Sequence, residues 1–200
     1  MPSIKGPAVF LAQFLRDEVP FNNLNNIGKW FADLGYKGVQ LPAWDQRIID
    51  LDKAASSQAY CDDLNATLRG MGLVPTELAG YLQGQVLAVH PAYETMFEGF
   101  HPPDLRGKAR TDWATDRLKK CILASVNLGT KNIPVLSGGF AWHMVYPWPQ
   151  RPAGIIDEAF KELAQRWRPL LDLARDKGVV FGYELHPGSD IYDGATFETF

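Results

Sequence analysis

A junction between a helix and a strand recurs four times in this chain, and it limits the fold more than any other feature. In each copy a helical pattern ends, a glycine follows, and an apolar strand begins within three residues. The copies are LGYKGVQL (34–41), MGLVPTEL (71–78), LGTKNIPV (128–135) and KGVVFGYEL (177–185). Because the same short turn leads into every strand, the strands run in one direction and helices return between them. The sequence therefore predicts a parallel α/β sheet.

Apolar runs and helical spacing predict the individual elements. Strands are expected at 8–14, 37–41, 73–78, 133–136 and from 179 onward. The first two helices are expected to be capped by Asn22 or Asn23 and by Ser56 or Ser57. The next helix is expected to begin at Thr111, after a long connection over 79–110.

The last complete helix has the most regular pattern and begins at Ile155. Pro169 lies inside it and is expected to kink it or to split it in two. A final pattern, GATFETF, is expected to bury Phe197 and Phe200.

Two topologies fit this alternation, a doubly wound sheet and a closed (β/α)8 barrel. Neither a G-x-G-x-x-G after the first strand nor a Walker loop occurs, which disfavours the nucleotide-binding folds. A closed barrel needs eight units and typically about 250 residues. We therefore expect residues 1–200 to be a single barrel domain that supplies about the first five βα units. The chain is then either the N-terminal part of a longer protein, which we favour, or a partial barrel completed by another chain.

The fifth strand contains the main candidate residues. In GVVFGYELHPGSD (178–190), side chains alternate between two faces of the strand. One face has Val180, Gly182, Glu184 and His186, and the other has Val179, Phe181, Tyr183 and Leu185. The apolar face is expected to meet the helices, which leaves Glu184 and His186 at the C-terminal strand end, where parallel folds build active sites. The alternative is that Glu184 only bonds a neighbouring loop.

Three strand ends have a polar residue in nearly the same register. Gln40, Glu77 and Glu184 are each followed by leucine. If these strands curve round a common axis, the three side chains converge on one mouth, where Gln40 and Glu77 are candidates to bind substrate. The alternative is that both residues only cap their strands.

The loops after the third and fourth strands are rich in aromatic and imidazole groups. These are His90, Tyr93, Phe97, Phe100, His101, Phe140, Trp142, His143, Tyr146 and Trp148. Aromatic faces pack on the C–H faces of sugars, so the composition favours a carbohydrate pocket with Trp142 and His143 among its substrate-binding residues. The same groups can instead pack the loops on each other or on a second subunit, so a homo-oligomer stays open.

Charge and composition limit the partners and the location. The net charge is −3 and no Lys/Arg cluster occurs, which disfavours nucleic acid as a partner. The N-terminal stretch lacks the pattern of a signal peptide, and no apolar run has the roughly 18 residues of a membrane span. We expect a cytoplasmic protein whose two cysteines, Cys61 and Cys121, are buried thiols.

Three stretches together resemble a known family. LGYKGVQLPAWD, LGTKNIPVLSGG and RWRPLLDLARDKGVVFGYELHPGSD are similar to the sugar phosphate isomerase/epimerase family, whose fold is the xylose isomerase-like TIM barrel. The family includes ketose 3-epimerases and inosose dehydratases. The resemblance implies that Glu184 binds a divalent metal ion (Mn, Mg, Co or Zn). The other ligands of the family, an Asp, a His and a second Glu, come from strands six to eight.

The resemblance also implies roles for two neighbouring residues. In some of the epimerases a carboxylate six residues after the metal ligand bonds the substrate, and Asp190 takes that catalytic position here. The residue is Asp rather than Glu, so its reach is one methylene shorter. His186 is expected to bond substrate or metal-bound water, or else to bond a loop.

The reaction that follows from the resemblance is isomerisation, epimerisation or dehydration of a sugar, sugar phosphate or inositol-type polyol. A hard cation stabilises the enediolate, and a carboxylate takes and returns the proton. Two alternatives stay open: a glycoside hydrolase that uses Glu184 with Glu77, and a non-catalytic barrel fragment used for binding or assembly.

Overall fold

The computed structural model describes residues 5–144 and 151–200. Within them lie β1 (Ala8–Phe10), β2 (Gly38–Pro42), β3 (Val74–Ala79), β4 (Asn132–Val135) and β5 (Val180–Tyr183). The first three strands form a parallel sheet in the order β1-β2-β3, and β4 pairs with β5. The prediction of parallel strands is confirmed for this three-stranded sheet.

Seven α-helices are found in the described residues. They are α1 (Leu24–Asp33), α2 (Leu51–Ser56), α3 (Gln58–Gly70), α4 (Tyr81–Gln85), α5 (Gly107–Leu128), α6 (Ile155–Lys177) and α7 (Gly194–Thr199). Short 3₁₀ segments cover Leu11–Phe14, Pro91–Phe100 and Trp142–Met144. Of the described helices, none has both the length and the apolar character needed to cross a membrane.

The helix–glycine–strand junction is confirmed in all four copies. Each helix ends at a glycine with positive φ, at 92° for Gly35, 77° for Gly72, 73° for Gly129 and 71° for Gly178. That left-handed geometry ends a helix without a steric cost only when the residue has no Cβ. The helix starts also follow the sequence, because Asn23 accepts the Asn26 amide at 2.9 Å and Ser57 accepts the Tyr60 amide at 3.2 Å.

Two predicted element boundaries were wrong. The apolar run 8–14 is a strand only as far as Phe10, after which a 3₁₀ turn packs Phe14 on Phe31, with ring centroids 5.0 Å apart. Helix α5 begins at Gly107 rather than Thr111, because the Glu94 carboxylate accepts the Gly107 amide at 3.2 Å. In both cases a contact outside the local pattern sets the boundary.

Near the C-terminal part, the predicted split of a helix at Pro169 and the predicted burial of Phe197 were wrong, whereas a kink at Pro169 stays a prediction. Pro169 does not split α6, which is one helix from Ile155 to Lys177. Trp167 and Leu170 on either side of it are fully buried, and their burial outweighs the hydrogen bond that proline removes. Phe197 was expected to be buried and is 51% exposed, whereas Phe200 contacts the ring of Tyr183.

The chain divides into two compact units, each with its own core. The first comprises Met1–Ala79, Lys120–Ile133 and Lys177–Val180, and the second comprises Gly80–Lys119, Pro134–Asp176 and Phe181–Phe200. The core of the first unit includes Ile27, Phe31, Leu41, Leu68 and Leu78. The core of the second includes Leu87, Leu118, Leu163, Trp167 and Ile191.

Both cysteines are buried in the first unit, as predicted, and neither forms a disulfide. Burial raises the pKa of the Cys61 thiol to about 11. The thiol therefore stays protonated and unreactive at neutral pH.

Candidate functional site

The residues of β5 alternate between a covered and an uncovered face. Phe181 is buried, and the Tyr183 ring lies between those of Trp167 and Phe200, with centroids 5.0 and 5.3 Å away. On the other face Val180 is 62% exposed, and Gly182, Glu184 and His186 are exposed as well. The predicted assignment of faces is therefore confirmed from Val179 to Tyr183, whereas Leu185, which was expected on the covered face, is 48% exposed.

Glu184 directly follows β5 and is held there by its backbone. Its amide donates to the carbonyl oxygen of Val135 at 2.9 Å, which continues the pairing of β4 with β5. Within residues 5–144 and 151–200, no side-chain hydrogen bond or ion pair involves the Glu184 carboxylate. The strand thus fixes the position of the residue and leaves its two carboxylate oxygens accessible to a ligand.

His186 is also exposed, and its backbone neighbour fixes its tautomer. Its Nδ1 lies 2.6 Å from the carbonyl oxygen of Pro187. Because a carbonyl can only accept, Nδ1 carries a proton in this contact. Nε2 is the ring nitrogen of His186 that is left for a ligand near the end of β5.

Gln40 and Glu77 form a pair in the first unit. The two residues are register partners across β2 and β3, and the Gln40 amide donates to Glu77 Oε2 at 2.6 Å. The structure brings these two predicted residues together at neighbouring strand ends. Convergence of this pair with Glu184 on one mouth stays a prediction.

Asp190 is buried against the loop that follows β4. It is 1% exposed, and its carboxylate accepts the amides of Phe140, Ala141 and Trp142 at 2.7, 2.8 and 2.7 Å. Burial raises the pKa of Asp190, and these three amides oppose that shift. Oδ2 accepts one of these amides and Oδ1 accepts two, and a carboxylate offers about four lone-pair sites, so a direct bond from Asp190 to substrate stays a prediction.

Trp142 and His143 belong to an aromatic cluster in the second unit. The Tyr93 ring lies 5.1 Å from Trp142 and 4.7 Å from His143, and the His90 ring lies 4.6 Å from His143. Burial, and then the charge of His90, lower the pKa of His143. His143 is therefore neutral at pH 7. Tyr146 and Trp148 lie outside the described residues.

A cavity of about 110 Å³ adjoins this cluster within the second unit. Its lining includes Trp142, Asp190, Arg151, Phe160, Tyr192 and Thr196. The sequence analysis did not predict a site role for Arg151, Phe160, Tyr192 or Thr196. They come from the start of α6, from α7 and from the preceding loops, and no local motif marks them as neighbours.

The described residues contain no complete metal site. Within them, no three His, Cys, Asp or Glu side chains lie together as a metal site. Glu184 fits as one ligand, because its carboxylate is exposed, has no partner in the described chain and offers the hard oxygen donors that divalent cations prefer.

Comparison with known proteins gives one family and a set of similar folds. A family model described as a xylose isomerase-like TIM barrel matches residues 29–200. A search of curated protein sequences finds no match.

The solved structures with similar folds are distant in sequence. The probable 3-DHS dehydratase AsbF from Bacillus anthracis, involved in petrobactin synthesis, has 14% identity and a TM-score of 0.59 over 98% of this chain and 58% of its own. The IOLI protein with a bound zinc atom has 14% identity and a TM-score of 0.58 over the same shares. A D-psicose 3-epimerase in the presence of D-fructose has 10% identity and a TM-score of 0.50 over 88% of this chain and 51% of its own. The chain therefore spans a little over half the length of these structures, and at such identities the likeness shows the fold alone.

Proposed function

Because the chain belongs to the xylose isomerase-like TIM barrel family, we propose that it is part of an enzyme that isomerises, epimerises or dehydrates a sugar, sugar phosphate or inositol-type polyol. The barrel fold predicted from the sequence is confirmed by that membership. The solved structures of similar fold include an epimerase and a probable dehydratase, which supports this class of reactions. The assignment of residues 1–200 to one barrel domain, the cytoplasmic location and a homo-oligomer stay predictions.

The accessible Glu184 carboxylate is the observation on which the proposal depends. It stands at the C-terminal end of a strand, the end at which barrels of this kind build their active sites. It is exposed, and no lysine or arginine of the described chain holds it. A carboxylate that served only to fix a loop would have a hydrogen-bond partner in that loop, and the described residues provide no such partner for Glu184.

We infer that Glu184 is one ligand of a divalent cation. A cation held there would stabilise the negative charge of an enediolate oxygen. The bound zinc of the IOLI structure supports a metal in proteins of this fold. The identity of the ion, and the further ligands, are not specified by the described residues.

Other residues of the chain would bind the substrate itself. The Gln40–Glu77 pair and the Nε2 of His186 offer hydrogen bonds to hydroxyl groups, and Trp142 with Tyr93 offers aromatic faces to C–H groups. Each of these substrate contacts is a separate proposal.

Substitution of the proposed ligand tests the function. In Glu184→Gln the side chain keeps its shape and loses its charge, so we expect metal content and turnover to fall by about 100-fold or more. Glu198→Gln, which changes an exposed carboxylate of α7, is the matched control and is expected to leave both unchanged. The measurements are metal analysis of the purified protein and a screen of ketoses and inososes with and without EDTA.

Two results would contradict the proposal. The first is a Glu184→Gln protein that retains wild-type metal content and turnover. The second is turnover on glycosides that survives EDTA, which would favour the glycoside hydrolase alternative with Glu184 as acid or nucleophile.

A further inference from the structure

The backbone of the loop after β4 surrounds the Asp190 carboxylate. The amide of Phe140 donates to Oδ2, and the amides of Ala141 and Trp142 both donate to Oδ1, at 2.7 to 2.8 Å. Successive backbone amides that point at one anion form a nest of the kind that binds phosphate or carboxylate. In this chain a residue fifty positions further on provides the anion. We call residues 139–142 with Asp190 the Asp190 nest.

Close packing inside the nest leaves no room for a side chain at Gly139. A Cβ there would lie 2.7 Å from Asp190 Oδ1 and 2.9 Å from the Asp190 amide nitrogen. The Asp190 amide itself donates to the carbonyl oxygen of Gly138 at 2.9 Å. The loop and the aspartate therefore contact each other through both backbone and side chain.

Buried polar groups hold the two sides of the nest. Gln85 donates to the Gly188 carbonyl at 3.0 Å and accepts the Ser189 hydroxyl at 2.9 Å. The Trp167 indole donates to the Ser137 carbonyl at 2.9 Å, and the Ile191 amide donates to the Ser137 hydroxyl at 3.3 Å. Each of these bonds lies in the second unit, next to the carboxylate rather than at the exposed Glu184.

The nest ends at Trp142, whose ring the proposed function assigns to the substrate. The Trp142 amide donates to the Asp190 carboxylate, and the Trp142 ring contacts that of Tyr93. His143 is the next residue in the chain. We propose that Asp190 is a positioning residue, whose carboxylate fixes the loop that presents Trp142 and His143. The effect on substrate rests on the proposed function, whereas the effect on the loop does not.

The pKa of His143 distinguishes a positioning role of Asp190 from a simple loss of stability. The groups facing His143 are His90, Tyr93 and Asp190. Burial and the charge of His90 lower the pKa of His143, and the negative charge of Asp190 raises it. Removal of that negative charge therefore lowers the pKa of His143 further.

NMR of the Asp190→Asn protein tests the loop. We expect the amide protons of Phe140, Ala141 and Trp142 to shift upfield, since each loses a charged acceptor, and the pKa of His143 to fall. The His143 resonance is assigned with His143→Gln. Asp104→Asn, an exposed carboxylate of the same unit, is the control and should change neither. Unchanged amides and an unchanged His143 pKa in Asp190→Asn would overturn the proposal.

Two further variants keep the test decisive if Asp190→Asn does not fold. Asp190→Ala empties the nest, and formate, which is small enough for the adjoining cavity of about 110 Å³, should restore the three amide shifts. Gly139→Ala keeps the carboxylate but displaces it from the three amides, so it should shift their protons upfield as well. Failure of both effects would count against the nest.

Kinetics separate positioning from chemistry. With an active substrate in hand, Asp190→Asn should raise KM by about 10-fold and change kcat by less than about 3-fold, with metal content unchanged. A loss confined to kcat would overturn the proposal, because it would place Asp190 at the reacting atoms. If the NMR effects occur but the wild type turns over no sugar or polyol, the proposed function fails and the positioning role stands.

Discussion

At the scale of single residues, two carboxylates that the sequence presents alike take opposite environments. Glu184 is exposed and has no partner in the described chain, whereas Asp190 is 1% exposed and accepts three amides. The first environment suits a ligand to an external cation, and the second suits an internal structural anion. The difference arises from the loop at 139–142, which reaches only one of the two.

Tyr183 carries a buried hydroxyl that has no hydrogen-bond partner within residues 5–144 and 151–200. Burial raises its pKa. Tyr183→Phe removes this unsatisfied group and keeps the ring between Trp167 and Phe200, so stability should stay unchanged or increase by up to about 1 kcal/mol. The measurement is the free energy of unfolding in urea.

Tyr60→Phe is the matched control for that substitution. The Tyr60 hydroxyl accepts the Asp50 amide at 2.8 Å, so its removal should cost about 1 kcal/mol. An equal loss of stability in the two variants would show that the Tyr183 hydroxyl does have a hydrogen-bond partner.

At the scale of elements, the sequence patterns missed two short helices, α2 and α4. Helix α2 lies between the predicted strand at 37–41 and the predicted cap at Ser56 or Ser57, and α4, only five residues long, lies in the predicted connection over 79–110. Helix α4 contains a glycine at position 84, which local propensity disfavours in a helix. A Cβ on Gly84 would lie 2.2 Å from the carbonyl oxygen of Leu136, so close packing requires glycine there.

The two helical glycines Gly84 and Gly70 should respond in opposite ways to alanine. Gly84→Ala forces α4 away from residue 136 and should cost about 2 kcal/mol or more of the free energy of unfolding. A Cβ at Gly70, at the end of α3, meets nothing within 4 Å, so Gly70→Ala should be neutral or stabilise by about 0.5 kcal/mol. Thermal and urea unfolding of both variants measures the change in the free energy of unfolding. If Gly84→Ala left it unchanged, α4 would not pack against residue 136 in this way.

At the scale of the whole molecule, charge argues against a polyanionic partner. The chain has 20 Lys and Arg against 23 Asp and Glu, and described cations such as Lys29, Arg47, Lys108 and Arg166 are each paired with a carboxylate. A nucleic-acid surface needs clustered basic groups that are available to phosphates.

Chromatography on heparin tests this expectation. The protein should elute in the flow-through at low ionic strength, while a basic protein of similar size is retained. Retention past on the order of 0.2 M salt would contradict this expectation.

The sequence by itself determined the features that depend on near neighbours along the chain. The glycines at helix ends, the caps at Asn23 and Ser57, and the two faces of β5 all follow from backbone geometry within a few residues. From them came the parallel strands and the placement of Glu184 on an uncovered face.

Only the tertiary structure decided the burial of Asp190, the start of α5 and the need for glycine at position 84. Each depends on a group far along the chain: the amides near 140 for Asp190, Glu94 for Gly107, and Leu136 for Gly84. A carboxylate has the same chemistry in any sequence, but its exposure and its partners are set by which distant segment packs against it, and no local pattern encodes that.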